Sequence, residues 1–143
     1  MFSAGARACY VASAIAARTM TEQKSGLIVN ISFWVSQKRI GNVASGAAKA
    51  ATDKMARDMA EELGVYNASV VSLYPGLVRA EGVLRFAQFL DLSNSESPQF
   101  VGCAVASLAC DSDVLQRTGR VSVAAQLAAE YGFAISTARN RNP

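Results

Sequence analysis

Gly26-Leu27-Ile28-Val29-Asn30-Ile31, then Ser45 through Leu63 with Gly64 behind it, then Ser69-Val70-Val71-Ser72-Leu73-Tyr74 running into Pro75-Gly76, is the stretch whose reading decides the fold. The first run is nearly continuous in apolar and β-branched residues, as expected of a strand covered on both faces. The second places Ala48, Ala51, Met55, Met59 and Leu63 on one helical stripe and offers Gly64 as a stop. The third, from Ala68 to Tyr74, is again a buried-type strand, ended by the Pro-Gly pair. Strand, loop, helix, strand in this order predicts a right-handed parallel α/β layer.

Outward from this unit, Ser3 to Gln23 reads as an alanine-rich helix, with Tyr10, Val11, Ile15 and Met20 as its apolar stripe and Gly26 as the break before the strand. Met1 to Thr21 holds no acid and two arginines, which is also the composition of a targeting peptide, but the helical stripe is the stronger pattern. Phe33 to Ala44 reads as a loop, and Val78 to Leu92, with Phe86 and Phe89, as helix or loop. Ser97 before Pro98 marks a helix start running to Cys110, with Phe100, Val101, Val105 and Leu108 facing the core. Gly119 introduces a short strand, Arg120 to Ala124, followed by a last helical turn through Tyr131. The expectation is one partial domain over 1–135 and a disordered tail over 136–143. Three strands are few for such a sheet, and the first would be an apolar edge. It therefore calls for a partner copy or for the other half of a larger fold.

With 143 residues, 51% of them hydrophobic, the chain can bury a sizeable core. Its net charge of +3 is scattered, and the one local basic piece, Arg139 to Arg141, lacks interleaved aromatics, so nucleic acid is excluded as a partner. No histidine is present, which removes the commonest metal ligand and general base, and no metal is expected. Cys9, Cys103 and Cys110 show no CxxC spacing and read as reduced, buried, structural thiols of a cytoplasmic protein. No apolar run has the length needed to span a bilayer, so no membrane partner is expected.

Gly26 to Ser32, Ala47-Ala48-Lys49-Ala50-Ala51-Thr52-Asp53-Lys54 and Ser72 to Gly76 together resemble the C-terminal half of the short-chain dehydrogenases/reductases, and more narrowly the subfamily around dehydrogenase/reductase member 1. Glu96 to Gly102 and Ala128 to Gly132 continue the likeness, which covers nearly the whole chain. The resemblance implies the C-terminal half of a doubly wound Rossmann-type parallel sheet, NAD or NADP as cofactor, and hydride transfer between nicotinamide and a small carbonyl or alcohol. It also implies that the two long helices, Ser3 to Gln23 and Ser45 to Leu63, pair in a homo-oligomer.

The family's catalysis uses a tyrosine with a lysine four residues on, a spacing that puts both on one helical face. The ammonium favours the phenolate and lowers a pKa that starts near about 10. Lys49 matches the lysine, whereas Ser45 stands where the tyrosine belongs, and an alkanol is a far weaker acid. The family's serine is often the second of a Ser-Ser pair; here the pair reads Ser32-Phe33, and either residue can take that place. The asparagine of the preceding helix falls around Gly5. In the PGxxxT motif, which holds the nicotinamide carboxamide, Pro75, Gly76 and Val78 match and Ala80 stands at the threonine. Tyr74 could project to the same site as a substitute acid, but a core or rim tyrosine is the commoner role at such a position. The glycine-rich phosphate loop has no counterpart, so the pyrophosphate lacks its cradle of backbone N–H groups. These readings converge on an oxidoreductase fragment with little or no activity alone; the alternative is a non-catalytic dimerisation module.

Overall fold

The structure is a computed structural model that describes residues 2–134. The tail expected from Ser136 lies outside the described residues. A π-helical turn, Ser3–Arg7, leads into α1 (Ala8–Gln23), then β1 (Gly26–Ile31), a 3₁₀ turn at Trp34–Ser36, α2 (Val43–Gly64) and β2 (Ala68–Tyr74). Next come α3 (Glu81–Leu84), a 3₁₀ turn at Ala87–Phe89, α4 (Pro98–Cys110), another at Val114–Arg117, β3 (Val121–Val123) and α5 (Ala124–Tyr131). The three strands form one parallel sheet in the order β1-β2-β3, with Ile31 opposite Leu73 and Tyr74 opposite Val123.

β2 is buried at every position. Its alternation divides the core between the two faces of the sheet. Ala68 and Val70 join Ile28 beneath Ala56, Ala60 and Leu63 of α2, with Ala16, Ala17 and Met20 of α1 alongside. Val71 and Leu73 face Phe100, Ala104 and Leu108 of α4 and Ala124 and Leu127 of α5. Beyond α4, Asp111 accepts from the Tyr131 hydroxyl at 2.5 Å, while Arg117 bridges to Glu130 at 2.6 Å and ties the start of β3 to α5.

Several helical faces differ from the sequence expectation, for one physical reason: the helices approach the sheet through small side chains. The buried stripe of α2 is Ala48, Thr52, Ala56, Ala60 and Leu63, turned by one residue from the expected one, and Met55 and Met59 sit at its margin. On α1 the first three residues of the expected stripe point outward, with Tyr10 54% and Ile15 62% exposed, while Met20 packs on the core and Ser13 is the fully buried residue. Helix ends also shift. α1 stops at Lys24 in the left-handed region (φ 51°) rather than at Gly26. α2 begins at Val43, where the Asn42 side chain accepts the Ser45 N–H at 2.8 Å. Asn67 (φ 57°), not Gly64, supplies the left-handed residue after α2. Ser97 caps α4 as read, accepting the Phe100 N–H at 3.1 Å with Pro98 in first position. Gly119 enters β3 with φ 73° and donates to Val70 O at 2.8 Å. The thiols correct the sequence reading: Cys103 and Cys110 are exposed and Cys9 is only half-buried.

The loop after β1 is fastened from beneath. The Tyr74 hydroxyl donates a short hydrogen bond to Asp53 of α2 and shares another with Ser36, while Gln37 Nε2 donates to it at 3.3 Å. Trp34 meets the Tyr74 ring edge-on with centroids 5.2 Å apart. One hydroxyl thus holds β2, α2 and the 3₁₀ turn together.

Two stability measurements test this packing. Leu108→Ala, at a fully buried position of α4, is expected to lower the unfolding free energy by about 2–5 kcal/mol in denaturant titration. Tyr74→Phe is expected to cost about 1–3 kcal/mol, because Asp53 then keeps a buried oxygen without its donor. A neutral Tyr74→Phe would dissolve the role given to this hydroxyl.

Candidate active site

Lys49, through the end of β1, and the Pro75-Gly76 turn, directly after β2, both lie at the C-terminal edge of the parallel sheet, the place where open α/β sheets bind ligands. Lys49, half-buried on α2, extends its ammonium to the carbonyl of Ile31, the last residue of β1, at 2.8 Å. An ammonium carries three donors, so this bond fixes its position and leaves further protons for a ligand. Ser45 lies one helical turn before it, half-buried on the same face of α2. Its N–H is the one capped by Asn42.

Ser32 follows β1 directly. It is buried, donates its backbone N–H to Leu73 O at 2.9 Å, and turns its hydroxyl inward to the Lys49 carbonyl at 3.4 Å. Phe33 begins the loop in extended conformation and is half-buried. Gly5, on the π-helical turn, lies against α2: a Cβ there would sit 3.7 Å from Ala48 Cβ. The place that the resemblance assigns to the family's asparagine therefore lies against the residue that precedes Lys49 on α2.

Tyr74 does not turn toward this edge. Its hydroxyl is taken up by Asp53, Ser36 and Gln37 beneath α2, and burial, followed by the Asp53 carboxylate, pushes its pKa up. Both effects oppose a phenolate, which removes it as a substitute for the missing tyrosine.

Pro75 is buried and Gly76 half-buried, followed by half-buried Leu77 and Val78. Ala80, at the threonine's place, is exposed and opens α3. The turn rests on a residue that sequence spacing did not single out, Glu96. It is buried, and its Oε1 would lie 3.0 Å from a Cβ added to Gly76. Burial raises the Glu96 pKa, and a backbone hydrogen bond from Gly76 pulls it back. Glu96 precedes the α4 cap by a single residue, a position with no local signature. Only the parallel bridge between Val78 and Glu96 brings it to the turn.

The edge thus carries a fixed ammonium and, at Gly76, a turn with no Cβ. No glycine-rich turn stands at a helix N-terminus among these residues. The geometry agrees with comparisons to known proteins. The model of the short chain dehydrogenase family matches residues 1–88. Dehydrogenase/reductase SDR family member 1 of Mus musculus is 37% identical over 142 residues, covering 90% of this chain and 45% of the relative, so the chain spans about half the length of the curated relatives it matches. Among solved structures, acetoin dehydrogenase from Enterobacter cloacae aligns with TM-score 0.72 and 30% identity, over 85% of this chain and 50% of that one. A 4-hydroxyisoleucine dehydrogenase complexed with NADH and succinate aligns with TM-score 0.64 and 25% identity, over 80% and 51%. A three-stranded parallel sheet with Lys49 and Pro75-Gly76 at its C-terminal edge, and these matches, place the chain in the short chain dehydrogenase family.

Proposed function

We propose that these residues form the nicotinamide- and substrate-facing half of an oxidoreductase acting between NAD or NADP and a small carbonyl or alcohol, with little or no turnover by themselves. The observation that carries this reading is Lys49 held at the end of β1, on the sheet edge that also carries the Pro75-Gly76 turn, with Ser45, not a phenol, one helical turn before the lysine. The cofactor supplies the hydride acceptor or donor. Lys49 holds its place through the Ile31 carbonyl, and Pro75, Gly76 and Val78 shape the surface for the carboxamide.

Two features keep the turnover low. A general acid contributes roughly 10²- to 10⁴-fold, and the Ser45 hydroxyl is too weak an acid to supply it. Without a glycine-rich loop, the diphosphate also stays solvated rather than bound. A cytoplasmic location belongs to the same reading, in keeping with three free thiols and with no helix among the described residues long and apolar enough to cross a membrane.

A second reading has its own observation. The outward stripe of α1, with Tyr10, Val11 and Ile15 exposed, is an apolar face that a second copy would cover, with α2 beside it. On that reading the chain is a homodimerisation module, and light scattering would give twice the monomer mass.

Titration of the purified chain with NADH and NADPH by nicotinamide fluorescence is expected to show no saturation in the micromolar range and no ketone reduction. Micromolar binding or brisk reduction would overturn the proposal. Ser45→Tyr, combined with a glycine-rich N-terminal half in trans, is expected to raise turnover by about 10²- to 10⁴-fold over the same pair with Ser45.

A further inference from the structure

A cleft of about 320 Å³ opens where β1 and β2 begin, between these strand starts and the end of α4. It lies at the opposite edge of the sheet from Lys49. β1 leaves the cleft at Gly26 and meets the Lys49 ammonium at Ile31, about 16 Å farther on at the usual rise of a strand.

Ser69 stands in the wall of this cleft. It is 1% exposed, and its Oγ has no hydrogen-bond partner. Strand alternation puts it on the face of β2 that also carries Val71 and Leu73, under α4. The main-chain groups next along β2 are engaged elsewhere: Val70 N–H donates to Thr118 Oγ1 at 2.9 Å, and Val70 O accepts from Gly119 N–H at 2.8 Å. A buried hydroxyl without a partner is costly, and alanine at the same place would avoid that cost.

The rest of the lining says what kind of molecule suits this hydroxyl. Leu27, Leu108 and Leu115 supply apolar walls, and Leu115 remains 37% exposed. Asn67 and Ser112 add neutral polar groups at exposed positions. No side chain that lines the cleft is charged. A charged ligand would give up hydration there with no counter-charge to meet it. The cleft around Arg117 and Glu130, by contrast, is lined largely by charged groups, and its Arg117 already pairs with Asp111 and Glu130.

We propose that the cleft at the start of β1 and β2 is a second binding site, for a small uncharged molecule that carries a hydroxyl or carbonyl oxygen on an apolar ring or chain, with Ser69 Oγ donating to that oxygen. Its volume lies at the lower end of the range of small-molecule sites. The inference is independent of the nicotinamide reading, because none of its residues lies at the Lys49 edge.

The test uses the full chain, isotopically labelled and without nucleotide, and three ring compounds of similar shape: cyclohexanol, cyclohexanecarboxylate and cyclohexylammonium. Cyclohexanol should shift the Ser69, Leu108 and Leu115 resonances saturably, in the millimolar range expected of so few heavy atoms, and leave Lys49 unmoved. The two ions should bind at least about tenfold more weakly. Ser69→Ala should weaken cyclohexanol binding about two- to tenfold, the worth of one hydrogen bond. Leu115→Ser, at a partly exposed position, should weaken it as well through lost apolar contact, with thermal melting of both variants as the check on folding. No saturable shift around Ser69, or shifts at Lys49 alone, would mean that the cleft holds only solvent and overturns the site. Equal binding of the ions overturns its neutral character, and unchanged affinity in folded Ser69→Ala overturns the role of the hydroxyl.

Discussion

Burial of β2 along its whole length is the constraint from which the other placements follow, because a strand covered on both faces must alternate its side chains between two helical layers. Val71 and Leu73 are committed to α4 and α5, and Val70, Ser72 and Tyr74 to the side of α2. That commitment fixes the height of α2 over the sheet. The height in turn brings Lys49 to the end of β1, on the sheet edge that also carries the Pro75-Gly76 turn. A shift of one residue in the β1–β2 register would exchange the faces and separate the two.

The layer between the sheet and α2 is more polar than a minimal core requires. Asn30 and Ser72 are opposite one another in the register, and Asn30 Nδ2, Ser72 Oγ and Asp53 Oδ1 are buried without partners. Buried polar atoms of this kind cost free energy and are ordinarily satisfied. Their concentration toward the end of the sheet that carries Lys49 fits a region where positioning outweighs stability. The opposite layer, built from Phe100, Ala104, Leu108 and Leu127, supplies the apolar burial, and the buried unpartnered atom on that face of β2, Ser69 Oγ, sits near the start of the strand, away from the Lys49 end.

Much of this was legible in the sequence, for reasons that can be named. The β-branched runs of β1 and β2, the Ser97-Pro98 start and Gly119 each encode their element through local sterics, and they read correctly. Lys49 and Pro75-Gly76 were legible because motif spacing carries them. The inward faces of α1 and α2 were not: periodicity favours the bulky residues, whereas close approach to a sheet selects alanine, serine and threonine. Tyr74 takes the core place that the sequence favours over a substitute acid, because a strand's alternation, not its neighbour Pro75, decides its face. Glu96 and Asp53 were invisible because their importance arises from contacts made across 20 residues or more of chain, Gly76 with Glu96 and Asp53 with Tyr74.

Among the described residues β1 has a single strand neighbour, and Ile31 at its end is 40% exposed. Its outer rim therefore carries main-chain amides and carbonyls with no strand to pair them, the Ile31 carbonyl being taken by Lys49. Any strand that pairs with this rim in the folded state alone would add to the apparent stability by mass action, in proportion to the logarithm of its concentration.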